Sequence, residues 1–377
     1  MPDLSDRARA WAATMHGHAA VPAVRVAHDA PPPVATPRGL VDRVAKEAAE
    51  AATLAPGATQ ALGAGRRKVA EAADPIRTCF ERDRDRILHA SAFRRLAGKT
   101  QVFVFPADHQ RTRLTHALEV AQVARSIATA IGCNTVLVEA IALGHVCGHG
   151  PGGHASEDAL SPFVAEGYDH AVWGADVALG DLNLCAETLD GIRNHSWSRP
   201  VPATPEGAVV SWADRIAYVC HDFEDAVAAG VVTESMLPEI VVATCGTRRS
   251  EQLATFIGAV VDAVLHAGVV GMVEPVADAL AAFRTFNYEH IYLREASRNQ
   301  AARVIDVLQT LVEHYAARPQ LLPERLTIGD FDTRSAEAYR AAVTYVGGMT
   351  DRFAFRVART ELGWTDDRLP ENSDTSG

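Results

Sequence analysis

No CxxC pair occurs anywhere in these 377 residues, and the six cysteines (Cys79, Cys133, Cys147, Cys185, Cys220, Cys245) are scattered. Several fall inside apolar helical runs, so the sequence predicts a reduced, cytoplasmic protein and not a disulfide scaffold. There is no uninterrupted apolar span of about 18 residues, the length that would suggest a membrane helix. The N-terminus has no basic region followed by a long apolar run, so neither membrane spanning nor secretion is expected. Positive charge is short as well: 36 Lys and Arg against 47 Asp and Glu leave a net charge of −11. That balance argues against general nucleic-acid binding driven by phosphate attraction. No internal repeat at a solenoid period is visible.

What is present is apolar mass, 48% of the residues, enough for one large core or two ordinary ones. Residues 1–66, rich in Ala and Pro, read as a loosely attached or partly disordered extension with helix-like runs near 4–15 and 41–52. Residues 67–365 read as one all-α domain and 366–377 as a polar tail. The periodicity predicts helices over about 77–96, 114–131, 136–147, 157–165, 185–194, 208–229, 250–267, 276–317 (broken near Asn287) and 335–359. Gly132 is expected to stop the second of these, with Asn134 or Thr135 capping the third. Lys99–Phe105 is short and β-like.

Within Arg77–Arg113 stand nine cations, among them Arg82, Arg84, Arg86, Arg111 and Lys99. In an acidic protein such a segment suits a small polyanion, but most of these arginines are expected to pair with Glu81, Asp83 and Asp85 on their own surface. The run from His145 to Glu157 is denser in chemistry. His145, His149 and His154 are interrupted by Gly148, Gly150, Pro151, Gly152 and Gly153, so the helix cannot continue and backbone can approach a ligand closely. His116 and His145, on two successive helices, can face each other. With Asp214, flanked by apolar residues, they make a donor set suited to a divalent cation such as Mn²⁺, Mg²⁺, Fe²⁺, Co²⁺ or Zn²⁺. Asp214, Tyr218 and Asp222 recur at i, i+4 and i+8, lining one helix face over roughly 12 Å.

Together these residues resemble the dGTPase-like deoxynucleoside triphosphate triphosphohydrolases of the HD-domain superfamily. The matching text is Arg77–Ile87, Phe93–Leu96, Lys99–Phe103, Arg111–His116, His145–Glu157 and Gly348–Ala354. The resemblance implies an HD-domain helical fold with additional C-terminal helices, acting as a metal-dependent triphosphoric monoester hydrolase. Its reaction releases triphosphate and a deoxynucleoside from a dNTP. By position it implies metal ligands His116, His145 and Asp214, a catalytic His154 with its acidic partner Glu157, and triphosphate contacts from Arg113, His149, His170 and Arg215. Gln101 and Asp222 would bond the sugar 3′-hydroxyl, and Tyr218 would pack on the deoxyribose. A homo-oligomer is also implied.

One position departs from that pattern. The family's His-Asp pair is here His145-Val146, and valine has no lone pair to give a metal. Two alternatives to a dNTP triphosphohydrolase stand beside it: a catalytically impaired relative serving as a nucleotide-binding or regulatory subunit, or an HD phosphohydrolase of another nucleotide.

Overall fold

The structure is a computed structural model that describes residues 5–30, 39–326 and 331–371, apart from the side chains of Ala20 and Val21. Residues 1–41 form one compact unit and 42–377 another. In the first, helix α1 (Asp6–Ala13) is capped by Ser5, whose hydroxyl accepts from Ala8 N at 3.2 Å. An antiparallel hairpin of β1 (His18–Val21) and β2 (Val24–Val26) follows. The expected start of the first helical run at Leu4, the Pro31–Pro33 run and residues 372–377 lie outside the described residues.

Among its described residues the regular elements of the second unit are helices, with two isolated bridges. Its elements are α2 (Arg43–Thr53), α3 (Cys79–His89), α4 (Ser91–Arg95), α5 (Arg113–Ile131), α6 (Thr135–Gly144), α7 (Ala155–Leu160) and α8 (His170–Trp173). They continue with α9 (Ala186–Asn194), α10 (Pro205–Ala228), α11 (Glu239–Cys245), α12 (Arg249–Ala267) and α13 (Glu274–Asn287). Three more, α14 (Glu295–Ala316), α15 (Ala336–Gly347) and α16 (Asp351–Leu362), complete it. The capping chemistry sets several boundaries. Gly132 takes φ 73° at the end of α5, and the Asn134 side chain accepts from Val136 N and Leu137 N to start α6.

Three expectations need revision. Residues 42–66 are built into the helical unit: buried Glu206 on α10 accepts from Thr59 N, Thr59 Oγ1 and Asn134 N, and Ala55 N donates to Gly132 O at 2.8 Å. Lys99–Phe105 is not a strand. It makes one isolated bridge, Thr100 with Thr112, and ends at Phe105 with φ 55°. Lacking a partner strand, its apolar side chains pack on helices instead. The helix expected over 335–359 is two, because the Thr350 side chain caps α16 by accepting from Phe353 N.

Two hydrophobic clusters fill this unit. One holds the buried faces of α3, α5, α6, α9, α10, α12 and α13, and the other those of α7, α14, α15 and α16. Val146 and Cys147 belong to the first, Ala159 and Leu160 to the second. The histidine-rich loop between them therefore runs along the seam.

Candidate active site

A cavity of about 880 Å³ opens at that seam. Its floor is set by helix ends. The helix α6 stops at Gly144, three residues short of expectation, and His145 Nδ1 donates to the carbonyl of Ala142 at 2.5 Å. With that nitrogen protonated, the Nε2 lone pair of His145 is left facing Asp214 Oδ1 at 3.5 Å. His116 Nε2, from α5, lies 3.1 Å from the same oxygen. The three residues place one ligand atom each within 4.8 Å of one another. Both rings are buried, and His145 Nε2 and His116 Nδ1 have no hydrogen-bond partner. A buried unpaired polar atom is costly, so the set fits a cation, and two imidazoles with one carboxylate suit Zn²⁺, Fe²⁺ or Co²⁺ better than Mg²⁺.

Electrostatics agree with that reading. Burial works against ionisation of Asp214, but its contacts with His116 and His145 hold its pKa well below the usual carboxylate range. Burial pushes His116 down to about 4, leaving a neutral ring at neutral pH. Val146, 1% exposed, lines the cavity and belongs to the core. It contributes no donor.

The loop beyond is fixed from several sides. Gly148 sits so close to α8 that a Cβ there would lie 2.0 Å from His170 O, and Gly153 adopts φ 65° beside Arg113. Tyr168 OH donates to Gly148 O at 2.6 Å, and Lys99 Nζ donates to His149 O and Gly347 O. Asp351 accepts from Gly152 N through Oδ1, and from Thr100 N and Oγ1 through Oδ2. The carbonyl of Thr100 in turn accepts from Arg113 Nε at 2.9 Å, and Arg113 Nη2 reaches His154 Nδ1 at 3.3 Å.

The expected catalytic pair is thus arranged differently from the expectation. His154 takes its direct contact from Arg113, whereas Glu157 Oε1 accepts from His170 Nδ1 at 2.9 Å. His154, His149 and Glu157 still gather within 4.8 Å. His154 as a residue is exposed towards the cavity, yet enclosure of its ring and then the Arg113 charge lower its pKa. The His149 and His170 rings stack at 3.8 Å. A sixth ring, His195, was missed by the sequence reading. It caps α9 as His145 caps α6, with Nδ1 bonded to Ile192 O, and its Nε2 lies 3.2 Å from His170 Nε2.

Farther along α10 lie the groups expected at the sugar. Tyr292 OH donates to Asp222 Oδ2 at 2.5 Å, while Asp222 Oδ1 and Gln101 Oε1 are buried without hydrogen-bond partners. Burial raises Asp222 to about 7. Tyr218 OH accepts from Arg284 Nε at 2.9 Å.

Arginines divide by location. Arg77, Arg82, Arg84, Arg86 and Arg111 all pair with carboxylates, Arg111 with three. Among the described residues Arg113, Arg215, Arg284, Arg294 and Arg298, which line the cavity, join no such ion pair. The cavity therefore gathers five arginines outside any ion pair with a carboxylate, together with Asp158, Asp214 and Asp222.

Residues 113–219 match the HD domain family, and residues 270–360 match the phosphohydrolase-associated domain family. A deoxyguanosinetriphosphate triphosphohydrolase-like protein of Caldanaerobacter subterraneus is 39% identical over 300 residues, 77% of this chain and 86% of that protein. The chain belongs to this family of HD-domain proteins. Other members with the same description are similar too. One from Clostridium perfringens is 39% identical over 308 residues (77% and 88% of the two chains), and one from Cereibacter sphaeroides 34% over 371 residues (80% and 98%). A hypothetical protein from Aquifex aeolicus, known from a crystal structure, aligns with TM-score 0.48 and 18% identity over 76% of this chain and 69% of its own. Among the described residues no helix is long and apolar enough to cross a membrane.

Proposed function

We propose that this chain is a metal-dependent dNTP triphosphohydrolase that releases triphosphate and a deoxynucleoside. The observation that carries the reading is the meeting of His116, His145 and Asp214 in a cavity also lined by five arginines free of carboxylates. His116, His145 and Asp214 would hold a cation that would supply Lewis acidity and a counter-charge for phosphate. Arg113, Arg215, His149 and His170 hold the triphosphate. Binding of the polyanion draws Arg113 from His154 Nδ1 to phosphate and lets the ring take up a second proton. This imidazolium protonates the departing 5′-oxygen as the Pα–O5′ bond breaks and water oxygen bonds to phosphorus, and the proton given up by that water restores the ring's charge. The substrate's negative charge raises the His154 pKa towards the range where that transfer is efficient. Glu157 orients the neighbouring His170 ring. Asp222 and Gln101, with unpaired oxygens, meet the 3′-hydroxyl, and Tyr218 packs on the sugar. The protein acts as a cytoplasmic homo-oligomer in this reading.

Purified protein with Mn²⁺ or Co²⁺ and each dNTP, assayed for triphosphate, tests the reading. We expect turnover that falls roughly 10²–10⁴-fold in His154→Ala. Phosphate or pyrophosphate as product would point instead to another nucleotide's phosphohydrolase. A second reading, a nucleotide-binding subunit without turnover, is favoured by Val146 alone. It predicts dNTP binding with no triphosphate released under any metal.

A further inference from the structure

Beyond the end of α9 the chain places an aromatic plate on the cavity wall. Trp197 is fixed from behind: its Nε1 donates to Ser211 O at 3.1 Å, and its ring meets Trp212 edge-on at 4.7 Å. Ser211 Oγ also donates to His195 O, tying the same turn to α10. The indole remains 46% exposed and lines the cavity beside Arg215. The Arg215 guanidinium carbon lies 3.3 Å above the ring centroid, well inside the roughly 6 Å reach of a cation–π contact.

The way Arg215 is held matters for what it can bind. Arg111, outside the cavity, is anchored by Glu119, Glu224 and Asp225, which use its donors and cancel its charge. An aromatic face uses neither. A guanidinium stacked on indole is oriented through its flat side while its in-plane N–H groups stay available to a phosphate. Nε is buried without a hydrogen-bond partner, so it is the terminal N–H groups, near Tyr218 and Asp214, that a ligand can reach. The same device recurs more loosely nearby, where Arg284 lies 5.9 Å from the Tyr288 ring while bonding Tyr218.

We infer that Trp197 is a positioning residue for polyphosphate, holding Arg215 flat against its ring so that the guanidinium edge faces the ligand. This rests on the cavity being a polyphosphate site. The probe is inorganic triphosphate, titrated calorimetrically into wild type, Trp197→Leu, Trp197→Phe, Arg215→Ala and the Leu/Ala double variant. A cation–π contact of this kind corresponds to roughly a 2- to 30-fold effect. Trp197→Leu should weaken triphosphate binding by that factor, Trp197→Phe should recover part of it, and the loss should vanish in the Arg215→Ala background. Triphosphate should also change indole emission in wild type and not in Trp197→Phe. Wild-type affinity in Trp197→Leu, or an equal loss when Arg215 is already Ala, overturns the inference. Undiminished binding in Arg215→Ala overturns the assignment of Arg215 to phosphate, and the inference falls with it. Absence of triphosphate binding by the wild type overturns the polyphosphate reading of the cavity itself.

Discussion

Val146→Asp tests whether His116, His145 and Asp214 hold a cation. The substitution places a carboxylate at a position that is 1% exposed and shares the cavity with Asp214. Without metal it introduces an unpaired charge near another acid, and we expect a loss of about 1–3 kcal/mol in stability. With metal the sign reverses. Two unit charges 4 Å apart at an effective dielectric near 20 interact by about 4 kcal/mol, and a divalent ion doubles the figure. Desolvation takes back several kcal/mol, leaving a net gain near 3 kcal/mol, roughly a hundredfold in affinity. At a metal concentration saturating only the variant, the added stabilisation is then about 2.7 kcal/mol. The assay is thermal unfolding of both proteins, stripped of metal and then titrated with Mn²⁺, Co²⁺, Zn²⁺ or Mg²⁺. The variant should melt below wild type when metal-free and show the larger rise on titration. Wild type should respond to Zn²⁺ or Co²⁺ more than to Mg²⁺, because two imidazoles dominate its donor set. A variant that melts lower and gains no more from any metal than wild type would refute the three-ligand account.

Asp222→Asn should change stability in a pH-dependent way. Asp222 has a folded-state pKa near 7 against 3.8 unfolded, so its stabilising contribution is complete below about pH 4 and is lost as pH rises through 7. Asn should therefore be up to about 4 kcal/mol more favourable relative to Asp at pH 8 than at pH 4, read by denaturant unfolding at the two values. An equal difference at both would contradict the buried-acid picture. Asp351→Asn leaves one oxygen where two accept from Gly152 and Thr100. It should cost about 2–3 kcal/mol and weaken triphosphate binding through Arg113, and unaltered calorimetric affinity would disprove that linkage.

Much of this was legible because helices announce themselves locally. The spacing of Leu114, Ala117, Ala121, Ala124 and Ile127, with Gly132 behind them, defines α5 within a residue. Of the acids expected to pair with Arg77, Arg82, Arg84 and Arg86, only Asp85 does so, with Arg77 and Arg84; Arg82 and Arg86 turn to Glu71, Asp83 pairs with Arg67 and Glu81 with Lys46. What escaped was whatever depends on distant segments. Glu206 accepts from Thr59, 147 positions away, so no local pattern ties residues 42–66 to the core. His195 is brought to His170 only by the packing of α9 on α8. The split at Gly347–Thr350 did carry a local signal, paired glycines followed by a Thr-Asp cap, but unbroken apolar periodicity masked it.

The order of construction explains why the Gly348–Asp351 stretch accompanies the histidines in this chain. The two matched family regions, 113–219 and 270–360, belong largely to different hydrophobic clusters. Between them stand Lys99 and Thr100, which lie in neither. Lys99 Nζ donates at once to His149 O and to Gly347 O, and Thr100 joins Asp351 to Arg113. Burial lowers Lys99 to about 7, a cost offset only while both carbonyls are in place. The C-terminal helices are therefore part of the site: they clamp the loop that carries His149 and His154, and a loop containing four glycines would otherwise have no fixed geometry. Neutral groups, the Thr100 carbonyl for Arg113 and the Trp197 ring for Arg215, hold these arginines, although Asp214 and Asp222 share the cavity with them. That choice of neutral anchors is what leaves positive charge for an anionic ligand in a protein whose net charge is −11.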